Sequence, residues 1–233
     1  MSSRVAITVF PGSNCEQDVR YAVELLGAQA EYVWHLDTDL TGFDAVVIPG
    51  GFAYGDYLRT GAIAAFSPVL DSVRQFALEG GPVLGICNGF QVLCEAGLLP
   101  GVLRRNRGLK FRCAPVFLRT GTADSPFTRT LPEGSVLEIP INHFEGNYYC
   151  TPGTLKELED GGRIAFRYCD ASGRITEESN PNGALGNIAG VISQGRNVLG
   201  MMPHPERAVD PELGGIDGRA ILQAILEPAG MPH

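Results

Sequence analysis

The chain has 233 residues and no apolar run near the roughly 20 residues that cross a bilayer, so no membrane-spanning helix is expected. The first ten residues, MSSRVAITVF, carry one basic side chain and then Val5, Ile7 and Val9 in a strand-like pattern. The long apolar core and cleavage site of a secretory signal are missing there. Charge is sparse as well. Charged residues make up 19%, too few for a disordered chain, and the net charge is −8. A nucleic-acid surface needs a basic stripe, and an acidic chain of this kind argues against one. The expected address is the cytoplasm.

Metal and phosphate motifs are absent too. The six cysteines are Cys15, Cys87, Cys94, Cys113, Cys150 and Cys169, and none forms a CxxC pair or a Cys/His cluster at zinc-ligand spacing. No metal site is expected, and five of the six read as small buried residues in the reduced form. Neither GxxxxGK[ST] nor GxGxxG occurs. No break in composition marks a linker and no internal repeat is seen, so residues 1–233 are expected to form one domain.

The 44% of apolar residues is ample for a core, and their pattern is that of an α/β protein. Strands are expected over 4–10, 31–34, 45–48 and 82–86. A helix follows the first, with Ser13 or Asn14 as its cap and its end near Gly27. A second helix runs from the Gly-rich loop at 49–61 to about Glu79, disturbed at Ser67-Pro68. A third starts after Cys87 and stops near Gly97. This alternation implies a flavodoxin-like, largely parallel central sheet with helices on both faces. Beyond Gly101, strands at 111–118, 135–141, 163–168 and 186–193 suggest an antiparallel extension. A strand at 198–202 and a helix at 219–226 close the pattern. Ligands of such sheets bind outside the carboxyl ends of strands, where Gly50, Gly51 and Cys87 fall.

The segment VLGICNGFQVL at 83–93 is the most informative. Its apolar run ends at Cys87 and a helix begins at once, so the free N–H groups of the helix start would face a thiolate there. Gly85 and Gly89 permit a tight corner like that of the GxSxG hydrolases, although GICNG also suits a plain strand-to-helix connection. Downstream, MMPHPER sets His204 between two prolines and two residues from Glu206. Cysteine, histidine and carboxylate are the parts that activate a nucleophile, move its proton and orient the imidazole. An ordinary loop remains the other reading of HPE. In PGGF at 49–52, glycines let a backbone amide face a pocket. The N–H groups of Gly51 and Asn88 would then hold an oxyanion, each such donor being worth about 3 kcal/mol. A simple glycine turn is the alternative.

GICNGFQ, PGGF and HPE together resemble the class I, triad-type glutamine amidotransferases. FPGSNCEQD, PGGFAYGDYLRTGA, NRGLKFRC, NPNGALGNIAGV and VLGMMPHPERA resemble, more narrowly, the glutaminase subunits of phosphoribosylformylglycinamidine synthases, over residues 10–208. The resemblance implies Cys87 as nucleophile, His204 as base, Glu206 as its orienting carboxylate, and Gly51 and Asn88 as oxyanion donors. Gln91 matches the glutamine-binding residue of GxCxGxQ, one helical turn beyond Cys87. Asn142, His143 and Phe144 fall on the loop that grips the ends of the substrate. The segment PINHFEG departs from the usual PIAHGEG, with Phe144 where glycine is expected.

What the resemblance implies is hydrolysis of glutamine to glutamate and ammonia through a thioester, with no cofactor on this chain. The ammonia goes to a large synthetase subunit that carries ATP and Mg, joined in many bacteria by a small third subunit, in purine biosynthesis. Tyr54, Asp56, Tyr57 and Arg59, read as exposed loop residues, are candidates for sensing that partner. Other class I amidotransferases, a γ-glutamyl hydrolase and an inactive regulatory subunit are the alternative functions.

Overall fold

The computed structural model describes residues 2–226. In chain order the elements are β1 (Arg4–Val9), α1 (Glu16–Leu25), β2 (Gln29–Trp34), β3 (Ala45–Ile48), α2 (Pro68–Leu78), β4 (Val83–Ile86), α3 (Asn88–Glu95) and β5 (Val102–Arg104). They continue with β6 (Arg112–Thr120), β7 (Val136–His143), β8 (Asn147–Tyr149), α4 (Pro152–Asp160), β9 (Ile164–Cys169), β10 (Ile188–Ile192), β11 (Val198–Met201) and α5 (Arg219–Leu226).

Nine strands form one sheet in the order β2-β1-β3-β4-β11-β10-β9-β6-β7, and β5 pairs with β8 apart from it. Strands β2, β1, β3, β4 and β11 run parallel. From β11 through β10, β9 and β6 to β7 every pairing is antiparallel. Parallel strands are covered on both sides, and β3, β4 and β11 are accordingly buried at every position. The chain moves outward from β1 to β2 and then back across β1 to β3. Right-handed crossovers therefore place α1 and α2 on opposite faces of the sheet. No helix among the described residues is long and apolar enough to cross a membrane.

Helix α3 packs closely on the sheet because Gly89 has no side chain. A Cβ there would lie 2.0 Å from the carbonyl oxygen of Ile48. Phe90, Val92 and Leu93 bury the rest of the helix, and their neighbours include Ile48, Leu84 and Ile86 in one continuous core.

Several local expectations are corrected. The cap position of α1 is Cys15, with no side-chain cap bond. Ser13 Oγ instead accepts from the Phe10 N–H at 3.0 Å, and Asn14 Oδ1 accepts from the Cys15 thiol. The second helix does not run through 61–79: a 3-10 turn at Ala64–Phe66 precedes it, and α2 starts at Pro68. Proline suits the first turn, where its missing N–H has no acceptor to lose, so Ser67-Pro68 marks a beginning. Strands β5 and β8 and helix α4 went unread.

Candidate active site

Four adjacent strands of the sheet, β1, β3, β4 and β11, deliver the site from their carboxyl ends. After β1 comes the turn to Cys15, after β3 Gly50 and Gly51, after β4 Cys87, and after β11 His204 and Glu206. The chain reverses direction between β1 and β3, which opens the crevice there. A cavity of about 290 Å³ fills it, lined among others by Cys87, His204, Gly51, Gln91 and Asp56.

Cys87 has φ 52° and ψ −104°, a backbone conformation that costs an ordinary residue about 1–3 kcal/mol. It is held by its N–H, which donates to Met201 O at 2.8 Å, and by its carbonyl, which accepts from the N–H groups of Phe90 and Gln91. This corner turns the thiol off the strand and toward β7, where it donates to Asn142 O at 3.7 Å.

His204 is anchored by its backbone N–H, which donates to Pro140 O at 2.8 Å. Its ring Nδ1 stands 2.6 Å from Glu206 Oε1, and both side chains are buried. That bond keeps a proton on Nδ1 and leaves Nε2, which has no acceptor or donor within hydrogen-bond distance among the described residues, as the nitrogen that can exchange a proton. Burial opposes the charged ring. The Glu206 carboxylate and a Cys87 thiolate outweigh it, and the His204 pKa lies well above its usual value.

Gly51 and Ser13 face each other in an isolated antiparallel bridge. The bonds that close it come from neighbours: Phe52 N–H to Gly12 O at 2.9 Å and Asn14 N–H to Gly50 O at 3.4 Å. Gly51 is thus a non-hydrogen-bonded pair member, and its own N–H points away from the bridge. The N–H of Asn88, first in α3, likewise has no acceptor among the described residues. A Cβ on Gly51 would meet Gly12 O at 2.8 Å, so glycine permits the close approach.

Side-chain amides tie the loop to the helix. Asn88 Oδ1 accepts from the Ala53 N–H at 3.0 Å, and its Nδ2 donates to Gln91 Oε1 at 2.9 Å. Gln91 Nε2 donates to Glu145 O at 2.5 Å. Asn142, His143 and Phe144 all line the cavity. Phe144 has no left-handed φ, so the replacement of glycine there brings no backbone strain. His143 is buried: its Nδ1 donates to Asn106 Oδ1 at 3.1 Å. Burial and then the nearby His204 push its pKa down to about 3, so its ring stays neutral.

The reading along the chain missed Asn106, Cys15 and Glu145. Asn106 is fully buried and organises residues 143–146. Its N–H donates to Phe144 O, its Nδ2 to His143 O and Lys110 O, and its Oδ1 accepts from the His143 ring and the Gly146 N–H. Asn182, from the NPNG segment, adds a bond to Gly146 O at 2.8 Å. Cys15 lies beside the His204–Glu206 pair. Its thiol accepts from Arg207 at 3.3 Å, and burial with the Glu206 charge raises its pKa to about 12. Ligand atoms of Cys15, His204 and Glu206 lie within 4.8 Å of one another, a grouping that spacing along the chain cannot reveal. The 2.6 Å between His204 and Glu206 is a hydrogen bond, closer than two ligands of one tetrahedral ion sit. Tyr54 is not exposed as expected: its hydroxyl bonds His35 Nδ1 at 2.8 Å and Ser67 Oγ at 3.0 Å. Asp56 is half-buried, whereas Tyr57 and Arg59 are exposed.

A family model described as a CobB/CobQ-like glutamine amidotransferase domain matches residues 2–214. The chain belongs to this glutamine amidotransferase family. Among curated amidotransferase relatives, phosphoribosylformylglycinamidine synthase subunit PurQ of Koribacter versatilis is 55% identical over 224 residues, 96% of this chain and 97% of that protein. The protein of the same name from Thermus thermophilus is 56% identical over 215 residues, 92% of this chain and 94% of its own. A solved structure of PurLQS from Thermotoga maritima contains a chain with a TM-score of 0.87 at 39% identity, covering 97% of this chain and 98% of that one. The amidotransferase fold thus carries the parallel half and the antiparallel extension together.

Proposed function

We propose that this chain is the glutaminase subunit of a phosphoribosylformylglycinamidine synthase in purine biosynthesis, a single amidotransferase domain over residues 1–233. The observation that carries the reading is identity above one half along nearly the whole of several PurQ proteins. The site geometry is of the kind the reaction requires.

Cys87 attacks the side-chain amide carbon of glutamine, and the free N–H groups of Gly51 and Asn88 receive the oxyanion. His204, charged by the thiol proton and held by Glu206, protonates the departing nitrogen, which leaves as ammonia. His204 Nε2 then takes a proton from water, which opens the γ-glutamyl thioester and releases glutamate. Gln91 and residues 142–144 bind the substrate. The chemistry asks for no cofactor on this chain.

Ammonia released into neutral water would be protonated and lost as a nucleophile, so a consumer must be docked nearby. The solved PurLQS assembly supports a large synthetase subunit and a small third subunit as partners. ATP and Mg belong to the synthetase, which converts formylglycinamide ribonucleotide to formylglycinamidine ribonucleotide in the cytoplasm.

The test is glutamate release from glutamine by the chain alone and with those subunits, with Cys87→Ser as control. Stimulation by the partners, lost in the variant, is expected. Full activity that ignores them would place the chain with another amidotransferase or a hydrolase.

A further inference from the structure

The Glu206 carboxylate is fully buried, yet only Oε1 is bonded, to the His204 ring, and Oε2 has no partner among the described residues. A buried carboxylate stays ionised where a positive charge offsets its lost hydration. His204 supplies that charge while its ring holds a second proton. Once Nε2 gives the proton up, the charge has to come from elsewhere.

Arg207, the next residue, is placed to supply it. Its half-buried guanidinium donates to Cys15 Sγ at 3.3 Å, and that sulfur lies within 4.8 Å of the Glu206 carboxylate. The two contacts in series hold guanidinium and carboxylate to a separation of at most about 8 Å. Charges that far apart in a protein interior still shift one another's proton affinity by about one pH unit. Cys15 is a neutral spacer: its thiol donates to Asn14 Oδ1 at 3.2 Å, and burial and then the Glu206 charge raise its pKa to about 12. Asp18 of α1 holds the far side of the guanidinium, 3.0 Å from Nε and 2.9 Å from Nη2. The other titratable groups facing the pair are Cys87 and the neutral His143 of β7, neither a cation. Arg219 of α5 is turned to Val209 O at 2.5 Å.

We infer that Arg207 is a positioning residue of the reaction: across Cys15 it holds the Glu206 carboxylate ionised, so that the bond to His204 Nδ1 keeps its strength while the ring is neutral. The inference rests on the reading of His204 and Glu206 as the pair that moves the Cys87 proton.

Arg207→Gln removes the charge, and Arg207→Lys keeps it. Asp18→Asn weakens the same tie to α1 but leaves the guanidinium on Cys15. Alkylation of Cys87 by iodoacetamide is followed in the full chain from about pH 5 to 10, by mass spectrometry of the peptide that carries it. The pH profile of kcat/KM for glutamine is measured beside it, with the synthetase partners present. Loss of a cation raises every proton affinity nearby. In Arg207→Gln the Cys87 midpoint and both limbs of the profile should therefore move up by about half a unit or more, with kcat down by about tenfold. Arg207→Lys should fall between that variant and wild type, and Asp18→Asn should show no upward move. Where the fold does not tolerate glutamine, Arg207→Met, which keeps the aliphatic stem, takes its place. An unmoved midpoint in the neutral variant, a lysine variant no better than it, or an equal upward move in Asp18→Asn would reduce Arg207 to a tie between the turn and α1. Alkylation needs no glutamine. The midpoint shift in a protein whose wild type releases no ammonia would sink the glutaminase reading and leave the role of Arg207 standing.

Discussion

Gly50 separates His204 from Cys15: a Cβ on it would lie 2.9 Å from His204 Cε1 and 3.0 Å from Cys15 Sγ. The imidazole is therefore approached closely by backbone on one side and held by Glu206 on another. Its orientation is set by packing as much as by the 2.6 Å hydrogen bond.

Glu206→Gln keeps the shape and removes the charge that favours the imidazolium. The kcat for glutamine hydrolysis should fall by about 10²–10⁴-fold with little change in KM, as happens when a triad loses its orienting carboxylate. Steady-state kinetics of glutamate release checks this. An unchanged kcat would mean that Glu206 only fills space.

The two buried histidines should give opposite pH dependences of stability. The His204 pKa is raised, so its pairing stabilises the fold fully below the ordinary value of 6.5 and fades as pH climbs through the raised value. The His143 pKa is pushed down to about 3, so its cost grows as pH falls from 6.5 toward that value. The slope from one such group is at most about 1.4 kcal/mol per pH unit. Urea melts between pH 4 and 9 should show the acid limb flattened in His143→Gln and the alkaline limb flattened in Glu206→Gln. Identical profiles in wild type and His143→Gln would contradict the first assignment.

Asn106→Ala strips the 143–146 loop of its side-chain anchor without touching the cavity wall. A loss of about 2–4 kcal/mol in stability is expected, since several buried partners lose their bonds together. Glutamine KM should rise more than kcat falls, because residues 142–144 lose their setting while Cys87 and His204 keep theirs. A drop in kcat alone would point to a different role.

Gly89→Ala tests the packing that places Cys87. The added methyl must displace α3 from β3, given the 2.0 Å approach to Ile48 O. Overpacking of this kind costs about 1–3 kcal/mol. Because Cys87 and Asn88 begin that helix, activity should suffer at temperatures where the fold is intact. A variant with the wild-type melting temperature and kcat would show that the backbone yields freely.

The parts of the site that were legible along the chain are those where a short apolar strand runs straight into the functional residue. Val83–Ile86 leads to Cys87, Ala45–Ile48 to the glycines, and Val198–Met201 to the HPE triplet. What stayed hidden depends on partners distant in sequence: Asn106 with His143 and Cys15 with Arg207. The missed helix α4 buries only Leu158, so it lacks an apolar stripe. Its signal was a cap, with Thr151 accepting from the Thr154 N–H and Pro152 in the first turn. The three-residue strands β5 and β8 are too short for alternation to register.

β11, last among the strands in the chain, is inserted between β4 and β10 in the middle of the sheet. A growing polypeptide therefore presents the thiol of Cys87 long before the strand that brings its base has been made. Until that strand slides into place the cysteine has no imidazole, no carboxylate and no finished cavity. On the roles proposed above for Cys87 and His204, reactivity toward a glutamine-like label would mark completion of the sheet.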